Sequence, residues 1–404
     1  MHATRDAIET YLKHPSEKEF WNYTSKVDGV LLWYAYLTDA QACDVAAFSG
    51  VDSVEVDGPL DIDGLTDPPS DSSKKRAATT LATQISPVLE LRVISQPTDV
   101  ANVGSLGNYV YDGTAGEGIY IYVVESGINT ASADLQGRVV ATMHAPQAKK
   151  DNPGDGDESE NGHATCSASK AVGLRYGVAK GAKVIAVKTK FSTADTAVVF
   201  DMVREDIQAR GLQKKAVVNM SWGALPSANG NIPDNYQKLA VSQQHIMNDL
   251  DVPIVAAAGN LAESGRQNIE KLPARWAKDD YPIISVGSTT MTGVASAFSQ
   301  GGPALAVSAV GEGLTCAAGS GTGNRVARGT SYANVVSPAA PQVAGLLAYF
   351  LGQETVPFDT TTGSLANNAR NFLKNTASWS RSGDGNMPKV AWNLITKAQN
   401  PPSS

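Results

Sequence analysis

Residues 329–333 read Gly-Thr-Ser-Tyr-Ala, and the apolar run at residues 341–351 that follows them predicts a buried helix. A nucleophilic serine requires this kind of pattern, because glycine permits a sharp entry of the chain and alanine leaves room for a substrate carbonyl. A helix N-terminus also directs unpaired N–H groups at developing negative charge. A serine hydroxyl is a poor nucleophile without an adjacent base. The rest of the chain must therefore supply a base, an acid that orients it and an oxyanion donor.

Length and composition limit the class of protein. A chain of 404 residues predicts two or three domains, or one large domain with an appendage. Hydrophobic residues make up 42% of the chain and charged residues 18%, as in an ordinary globular protein. No apolar run is long enough to span a bilayer. The net charge of -7 argues against nucleic acid as the main partner. We therefore expect neither a nucleic-acid nor a membrane partner.

The three cysteines, Cys43, Cys166 and Cys316, are too few for a disulfide framework. One bridge between Cys166 and Cys316 is compatible with the sequence, which does not determine it. Residues 1–6 lack the basic start and apolar core of a signal peptide. Either the protein acts inside the cell, or it is secreted and this sequence begins after a removed leader.

The N-terminal part of the chain predicts a small α+β domain over residues 1–65. Residues 29–37 are rich in aromatic and branched side chains, and residues 51–56 alternate between apolar and polar, so both segments predict strands. Between them, Thr38 and Gln41 form a capping box that opens a short helix. Polar, proline-bearing residues at 66–88 then predict a linker.

Strand and helix signals alternate through residues 89–404. Such alternation predicts an α/β domain with a mostly parallel, doubly wound sheet, whose site lies at the carboxyl ends of the strands. The predicted strands are residues 119–124, 183–187, 217–220, 253–257 and 283–286. The predicted helices are residues 164–173, 194–210, 232–250 and 341–351.

Three polar side chains lie at the ends of predicted strands or at the start of a predicted helix. Glu125 follows a buried strand, and its alternative role is that of an exposed charge. His163 begins a small-residue helix and is a candidate base, although such histidines are usually structural. Asn260 follows a buried strand and can donate its amide to an oxyanion, or simply form a Gly-Asn turn. Each residue alone is a weak signal, so the argument depends on their order along the chain.

The order acid, histidine, asparagine and serine resembles that of the subtilases, the subtilisin and proteinase K family of serine endopeptidases. The likeness extends over residues 107–350 and includes several unrelated motifs in the family's order. Residues 29–57 also resemble the inhibitory, ferredoxin-like propeptide that precedes many subtilases. The matching segments are residues 163–188, 218–223, 284–287, 297–299 and 341–345.

The resemblance implies a role for each matching residue. Ser331 would attack the scissile carbonyl, His163 would take its proton, and Glu125 would orient the imidazole. Asn260 and the backbone N–H of Ser331 would hold the oxyanion. A further set would bind the substrate backbone and line the cleft: Met220, Ser221, Trp222, Gly223, Ala257 and Gly259. The expected partners are a protein or peptide substrate and the chain's own propeptide, and we expect a monomer.

The sequence departs from the family's pattern in the triad segments. Glu125 stands where the family has aspartate, which is one methylene shorter. A displacement of about 1 Å at a tuned site costs on the order of a hundredfold in rate. Ala164 replaces the glycine after the histidine, and its methyl group would narrow the approach to His163. Cys166 replaces the next histidine and is expected to pack as a small buried hydrophobe.

Two further departures concern the nucleophile and a loop. Residues 334–339 lengthen the segment between the serine motif and the helix proline, which makes Ser337 an alternative nucleophile to the favoured Ser331. If the helix begins at Pro338, Ser331 loses its place at the helix N-terminus. Residues 151–160 form an acidic insertion that we interpret as a solvated loop, with calcium binding as the alternative. We otherwise expect no metal and no cofactor.

Two functions from different classes remain. The first is a serine endopeptidase made as a zymogen, with Glu in the acid position of its triad. The second is a non-proteolytic homologue that keeps the fold as a binding scaffold or a repurposed biosynthetic enzyme, which the departures favour. The sequence does not reveal the cleavage preference or the natural substrate.

Overall fold

Four elements form a small unit at the N-terminal end of the chain: helix α1 (His2–Tyr11), strands β1 (Phe20–Ser25) and β2 (Gly29–Ala35), and helix α2 (Asp39–Ala46). The strands pair antiparallel, and Ile8, Phe20 and Val45 form the buried centre of the unit. The computed structural model describes residues 2–13, 15, 20–25, 29–57, 81–159, 162–226, 234–327, 338–381 and 388–403.

Two of the three elements predicted for this unit are confirmed, the strand at residues 29–37 as β2 and the helix after Thr38 as α2. The capping box is confirmed, because the Thr38 hydroxyl accepts a hydrogen bond from Gln41 N at 3.3 Å and Gln41 Oε1 accepts one from Thr38 N at 2.8 Å. The predicted strand at residues 51–56 is wrong, because this mostly exposed segment has no strand partner in the described part of the chain. Alternation indicates a strand only where a neighbouring strand can pair, and here β1 and β2 pair with each other. The likeness to a propeptide stays a prediction.

The larger domain contains all five predicted strands and all four predicted helices. Its strands are β3 (Leu81–Ile85), β4 (Asn108–Asp112), β5 (Tyr120–Glu125), β6 (Val139–His144), β7 (Lys183–Lys188), β8 (Ala216–Met220), β9 (Ile254–Ala257), β10 (Ile284–Thr289), β11 (Val307–Val310), β12 (Leu314–Ala317), β13 (Asn324–Ala327), β14 (Ser378–Ser380) and β15 (Lys389–Ala391). Its helices are α3 (Leu89–Ile94), α4 (Pro146–Asp151), α5 (His163–Val172), α6 (Thr193–Arg210), α7 (Asp234–Gln244), α8 (Ala339–Leu351) and α9 (Leu365–Asn375).

Nine of these strands form the central sheet, in the order β14-β15-β11-β10-β9-β8-β5-β7-β6. Every neighbouring pair is parallel except β14 with β15. The prediction of a mostly parallel α/β sheet is therefore confirmed. Strand β3 lies in the segment predicted as a linker, residues 66–88, and it pairs with β4 of the larger domain. Residues 58–80, which include most of that linker, lie outside the described residues.

Helix α8 lies at the centre of the larger core. All of its residues are buried, and it packs against α5 and against strands β8, β9 and β10. Gly345 allows the close approach to α5, because a Cβ atom there would lie 2.6 Å from the carbonyl oxygen of Ala171. The fit of α8 against α5 therefore fixes one wall of the core beneath the carboxyl ends of the strands.

The opposite face of the sheet is covered by α6 and α7, and the N-terminal unit lies against α6. The Tyr23 hydroxyl donates to Asp201 on α6 at 3.4 Å. The carboxylate of Asp57 accepts a hydrogen bond from the backbone N–H of Ala194 in the first turn of α6 at 3.1 Å. A carboxylate at a helix N-terminus is favourable because the N–H groups there lack intrahelical partners. Asp57 thus joins the end of the small unit to the larger domain.

A disulfide joins Cys166 on α5 to Cys316 on β12, with their Cα atoms 5.1 Å apart. Both cysteines are fully buried, so Cys166 packs in the core as expected but as half of a bridge and not as a thiol. Cys43 is an exposed free thiol. In the described ranges, no helix combines the length and apolar character needed to cross a bilayer.

Candidate active site

Glu125 is the last residue of β5, whose neighbours in the sheet are β7 and β8. Because strands lie on both sides and helices cover both faces, the side chain is only 1% exposed. The alternative of an exposed charge at a strand end is therefore wrong. A carboxylate is buried in this way only where a specific partner compensates for its lost hydration.

That partner is His163, the first residue of α5. Its Nδ1 lies 2.9 Å from Oε2 of Glu125, and the histidine is 7% exposed. Gly162 precedes it with φ of 68°, and a Cβ atom there would lie 2.4 Å from the backbone nitrogen of Gly319. Only glycine fits this position, which directs the chain into the helix at the point where the imidazole meets the acid. The two residues that were predicted separately are thus brought together.

Burial raises the pKa of Glu125, and the nearby charge of Asp157 raises it further. The charge and hydrogen bond of His163 act in the opposite direction, but the net pKa remains above the usual value. The ionised carboxylate therefore depends on the imidazole beside it. The same pairing directs Nδ1 toward the acid and leaves Nε2 as the nitrogen available for proton transfer.

Asp157, which sequence reasoning missed, ties the acid's strand to the histidine's helix. Its carboxylate accepts hydrogen bonds from the Thr165 backbone N–H at 2.8 Å and from the Thr165 hydroxyl at 2.6 Å. It also accepts one from Ser126, the residue after Glu125, at 3.2 Å. The Ser159 hydroxyl donates to Asp157 at 2.6 Å and accepts from the backbone N–H of His163 at 2.6 Å. The interpretation of this segment as a solvated loop is therefore wrong for residues 157–159.

The acidic loop is also held by a buried lysine. The ammonium of Lys188, at the end of β7, donates to the carbonyls of Gly154 at 2.6 Å and Gly156 at 3.3 Å, and it pairs with Glu158. Burial alone would raise the pKa of Glu158, but hydrogen bonds from Lys188 and Lys190 hold it below its usual value. The described residues contain no cluster of three or more histidine, cysteine or acidic side chains suited to a metal ion. Calcium binding remains an untested expectation.

Asn260 is half-buried and follows β9, at the same edge of the sheet as Glu125. Gly259 before it has φ of 109°, and a Cβ atom there would lie 2.1 Å from Oε1 of Gln300. Gln300 in turn donates its backbone N–H to the carbonyl of Gly259 at 3.0 Å. These contacts fix the direction in which the chain leaves β9. Ala257, the last residue of that strand, is buried.

The predicted substrate-binding segment leaves β8 with its side chains turned inward. Met220 lies in the hydrophobic core, and the Trp222 indole donates to the carbonyl of Val124 at 2.8 Å. The Ser221 hydroxyl accepts from Ser167, one turn along α5 from His163, at 3.2 Å. Because the side chains are engaged, the groups left to pair with a substrate are those of the backbone, including Gly223. The binding role of the segment stays a prediction.

Both candidate nucleophiles, Ser331 and Ser337, lie outside the described residues, which stop at residue 327 and resume at 338. Helix α8 begins at Ala339 with Pro338 as its N-cap residue, so the helix starts two residues earlier than predicted. The extra methyl group of Ala164 packs in the hydrophobic core.

Comparisons with known proteins indicate which family this sequence resembles. The sequence model described as the subtilase family matches residues 116–398. The chain is 32% identical over 298 residues to the subtilisin-like serine protease Pen c 1 of Penicillium citrinum, covering 71% of this chain and 64% of that protein. It is 31% identical over 255 residues to subtilisin-like protease 5 of Trichophyton verrucosum, covering 62% of this chain and 57% of that protein. The chain thus spans about three fifths of the length of these relatives.

A solved structure supports the same architecture. The crystal structure of a cold adapted subtilisin-like serine proteinase superimposes with a TM-score of 0.58 at 24% sequence identity. The match covers 76% of this chain and 99% of that one. At this level of identity the likeness concerns the fold alone.

Proposed function

The chain belongs to the subtilase family, and on that premise we propose that it is a serine endopeptidase with glutamate as the acid of its triad. The observation that carries the proposal is the buried contact between Glu125 and His163, 2.9 Å apart, at the carboxyl edge of the parallel sheet. A buried acid that holds an imidazole by Nδ1 is the arrangement that activates a serine.

In this proposal the hydroxyl of Ser331 attacks the scissile carbonyl while Nε2 of His163 takes its proton. Asn260 donates its amide to the oxyanion of the tetrahedral intermediate. The peptide C–N bond then breaks, and the imidazolium returns the proton to the leaving amine. Water, deprotonated by the same imidazole, then attacks the acyl-enzyme. The bond between the acyl carbon and the serine oxygen breaks, the acid product leaves, and the imidazolium returns its proton to the serine oxygen. Throughout, Glu125 holds the imidazole and stabilises its charged form.

The expected partners are a protein or peptide substrate and the chain's own N-terminal unit. We propose that this unit is an inhibitory propeptide, since β1 and β2 lie against α6 and Asp57 binds the first turn of that helix. Residues 58–80 would then connect it to the enzyme. The chemistry requires no cofactor, and calcium would act only on stability.

Covalent labelling with a fluorophosphonate probe tests the nucleophile. We expect the parent chain to be labelled, Ser331→Ala to lose labelling, and Ser337→Ala to keep it, because the Gly-Thr before Ser331 lets the backbone approach a substrate. Labelling is read by gel fluorescence after the N-terminal unit is removed. Labelling that is kept in Ser331→Ala and lost in Ser337→Ala would instead identify Ser337 as the nucleophile.

Self-cleavage tests the zymogen. During incubation, the parent chain should separate within residues 58–88, whereas Ser331→Ala should remain whole under the same conditions. Mass spectrometry of the products locates the cut. A chain that stays whole for days, with the folded state verified by circular dichroism, would contradict the zymogen proposal.

One observation favours the second candidate, a non-proteolytic homologue. Helix α8 begins at Ala339, eight positions after Ser331 in the sequence, whereas the family's pattern runs from the serine motif almost directly to the helix proline. A complete absence of fluorophosphonate labelling in the parent and in both variants would support this candidate over the endopeptidase.

A further inference from the structure

A cleft of about 500 Å³ lies between the segment at residues 268–279, the turn at residues 301–304 and helix α9, and neither Glu125 nor His163 lines it. Its floor includes Asn268 and Gly301, which are paired in a bridge of parallel type. None of the roles assigned to the triad uses this cleft. It is open to solvent, so a ligand can enter without any rearrangement of the fold.

The charge of the cleft is opposite to that of the chain. Four cationic side chains line it against one carboxylate, Asp279, although the net charge of the whole chain is -7. Lys278 pairs with Asp280, but Arg275 and Lys374 form no ion pair with any described residue. A concave surface lined by one sign of charge concentrates ligands of the opposite sign. The cations of the cleft therefore favour an anionic ligand.

One of these four cations, Arg370, is buried. Arg370 on α9 is only 3% exposed. Its Nη1 donates to Asp279 at 3.0 Å, a carboxylate whose side chain is 87% exposed, while its Nε has no hydrogen-bond partner in the described part of the chain. A buried guanidinium with an unused N–H is costly unless an acceptor completes it. Arg370 therefore holds a fixed positive charge at the wall of the cleft.

The cleft is joined to the active-site edge through Gln300. The Gln300 side chain donates to the carbonyls of Arg266 at 2.9 Å and Asn268 at 2.6 Å, and its backbone N–H donates to Gly259, next to Asn260. One buried residue therefore contacts both the floor of the cleft and the segment that leads to the oxyanion donor.

We propose that this cleft binds the carboxylates of an acidic peptide segment. Several cations spread over a cleft of this size suit an extended ligand with more than one carboxylate, whereas a single phosphate would use only part of it. The choice of a peptide as occupant rests on the proposed function, because an endopeptidase meets protein substrates. The preference for carboxylates rests on the cleft alone.

Fluorescence anisotropy with a labelled hexaglutamate peptide tests the proposal on the full chain carrying Ser331→Ala and Ser337→Ala, which removes any cleavage of the probe. We expect saturable binding at low salt that weakens as salt is added. The added double variant Arg275→Ala with Lys374→Ala should weaken binding by about tenfold or more. The charge-matched control, Lys149→Ala with Lys215→Ala, removes two exposed lysines outside the cleft and should change affinity less than about twofold.

Three outcomes would overturn the proposal: no saturable binding, equal losses in both double variants, or equal binding of a labelled hexalysine peptide. Displacement of the probe by inorganic phosphate at the same concentration as by unlabelled hexaglutamate would overturn the assignment to a peptide. If the alanine variant has a lower thermal midpoint than the parent, Arg275→Gln with Lys374→Gln replaces it in the comparison. Because binding is measured without catalysis, failure here and failure of the proposed proteolysis are separate results.

Discussion

Glu125→Gln is expected to lower kcat of the activated enzyme by about four orders of magnitude. The amide keeps the size of the buried side chain but cannot hold the imidazole of His163 by Nδ1–H and also stabilise its charged form. The contact at 2.9 Å is fully screened from water, so no solvent group can replace the lost carboxylate. The measurement is kcat on a chromogenic peptide substrate, with enzyme concentration fixed by fluorophosphonate titration of the parent.

The matched control is Glu125→Asp, which keeps the charge and shortens the side chain by one methylene. Because the carboxylate then falls short of His163 by about 1 Å, we expect a loss on the order of a hundredfold, much smaller than that of Glu125→Gln. Equal activity of Glu125→Gln and the parent would contradict the role of Glu125 as the triad acid.

Stability distinguishes a catalytic loss from a folding defect in the same variant. Because the pKa of Glu125 is raised on folding, its contribution to stability is fully present below the unfolded pKa and is lost as pH rises through the folded pKa. The glutamine in Glu125→Gln cannot ionise. The thermal midpoint of the variant minus that of the parent should therefore increase as pH rises from acid to neutral. A variant that unfolds at a lower temperature than the parent at neutral pH would show that the activity loss comes from structural damage.

The sequence predicted the sheet well because each strand and helix is indicated by the residue pattern of its own segment. Alternation of buried strands with helices identified β5, β7, β8, β9 and β10, and the carboxyl-edge rule placed Glu125 and Asn260 at one edge of the sheet. The pairing of Glu125 with His163 was implied by the resemblance to the subtilases and not by the strand pattern. Alternation failed at residues 51–56, since a pattern along one segment contains no information on whether a partner strand lies beside it.

Contacts between distant loops were beyond sequence reasoning. Asp157 looked like one of several carboxylates in an acidic loop, and only the path of that loop brings it to Ser126 and Thr165. The signal that could have found it is an acidic residue ahead of a helix start, as in an N-cap, but here it lies six residues before the first helical residue, His163. The sequence predicts an ordinary lysine at a strand end for Lys188, although its side chain is fully buried beneath the same loop.

Removal of the disulfide is also expected to have a large effect, in this case on the stability of the fold. Replacing Cys166 and Cys316 together by serine is expected to lower the free energy of unfolding by about 2–5 kcal/mol. The bridge closes a loop whose ends are 150 residues apart in sequence, and both sulfur atoms are enclosed by the core, where serine hydroxyls would also lack water. The measurement is urea unfolding at equilibrium, followed by circular dichroism.

Cys43→Ser is the control, because Cys43 is exposed and unbridged and its loss should leave the unfolding midpoint unchanged. A reductant should lower the midpoint of the parent and of Cys43→Ser but not that of the double variant, which has no bridge left to reduce. Equal sensitivity of all three proteins would contradict the bridge.

Since Cys166 lies three residues after His163 on α5, the bridge also anchors the helix that presents the imidazole. We therefore expect the double variant, assayed while still folded, to lose activity at a lower temperature than the parent, which would link the covalent constraint to the geometry of the Glu125–His163 pair.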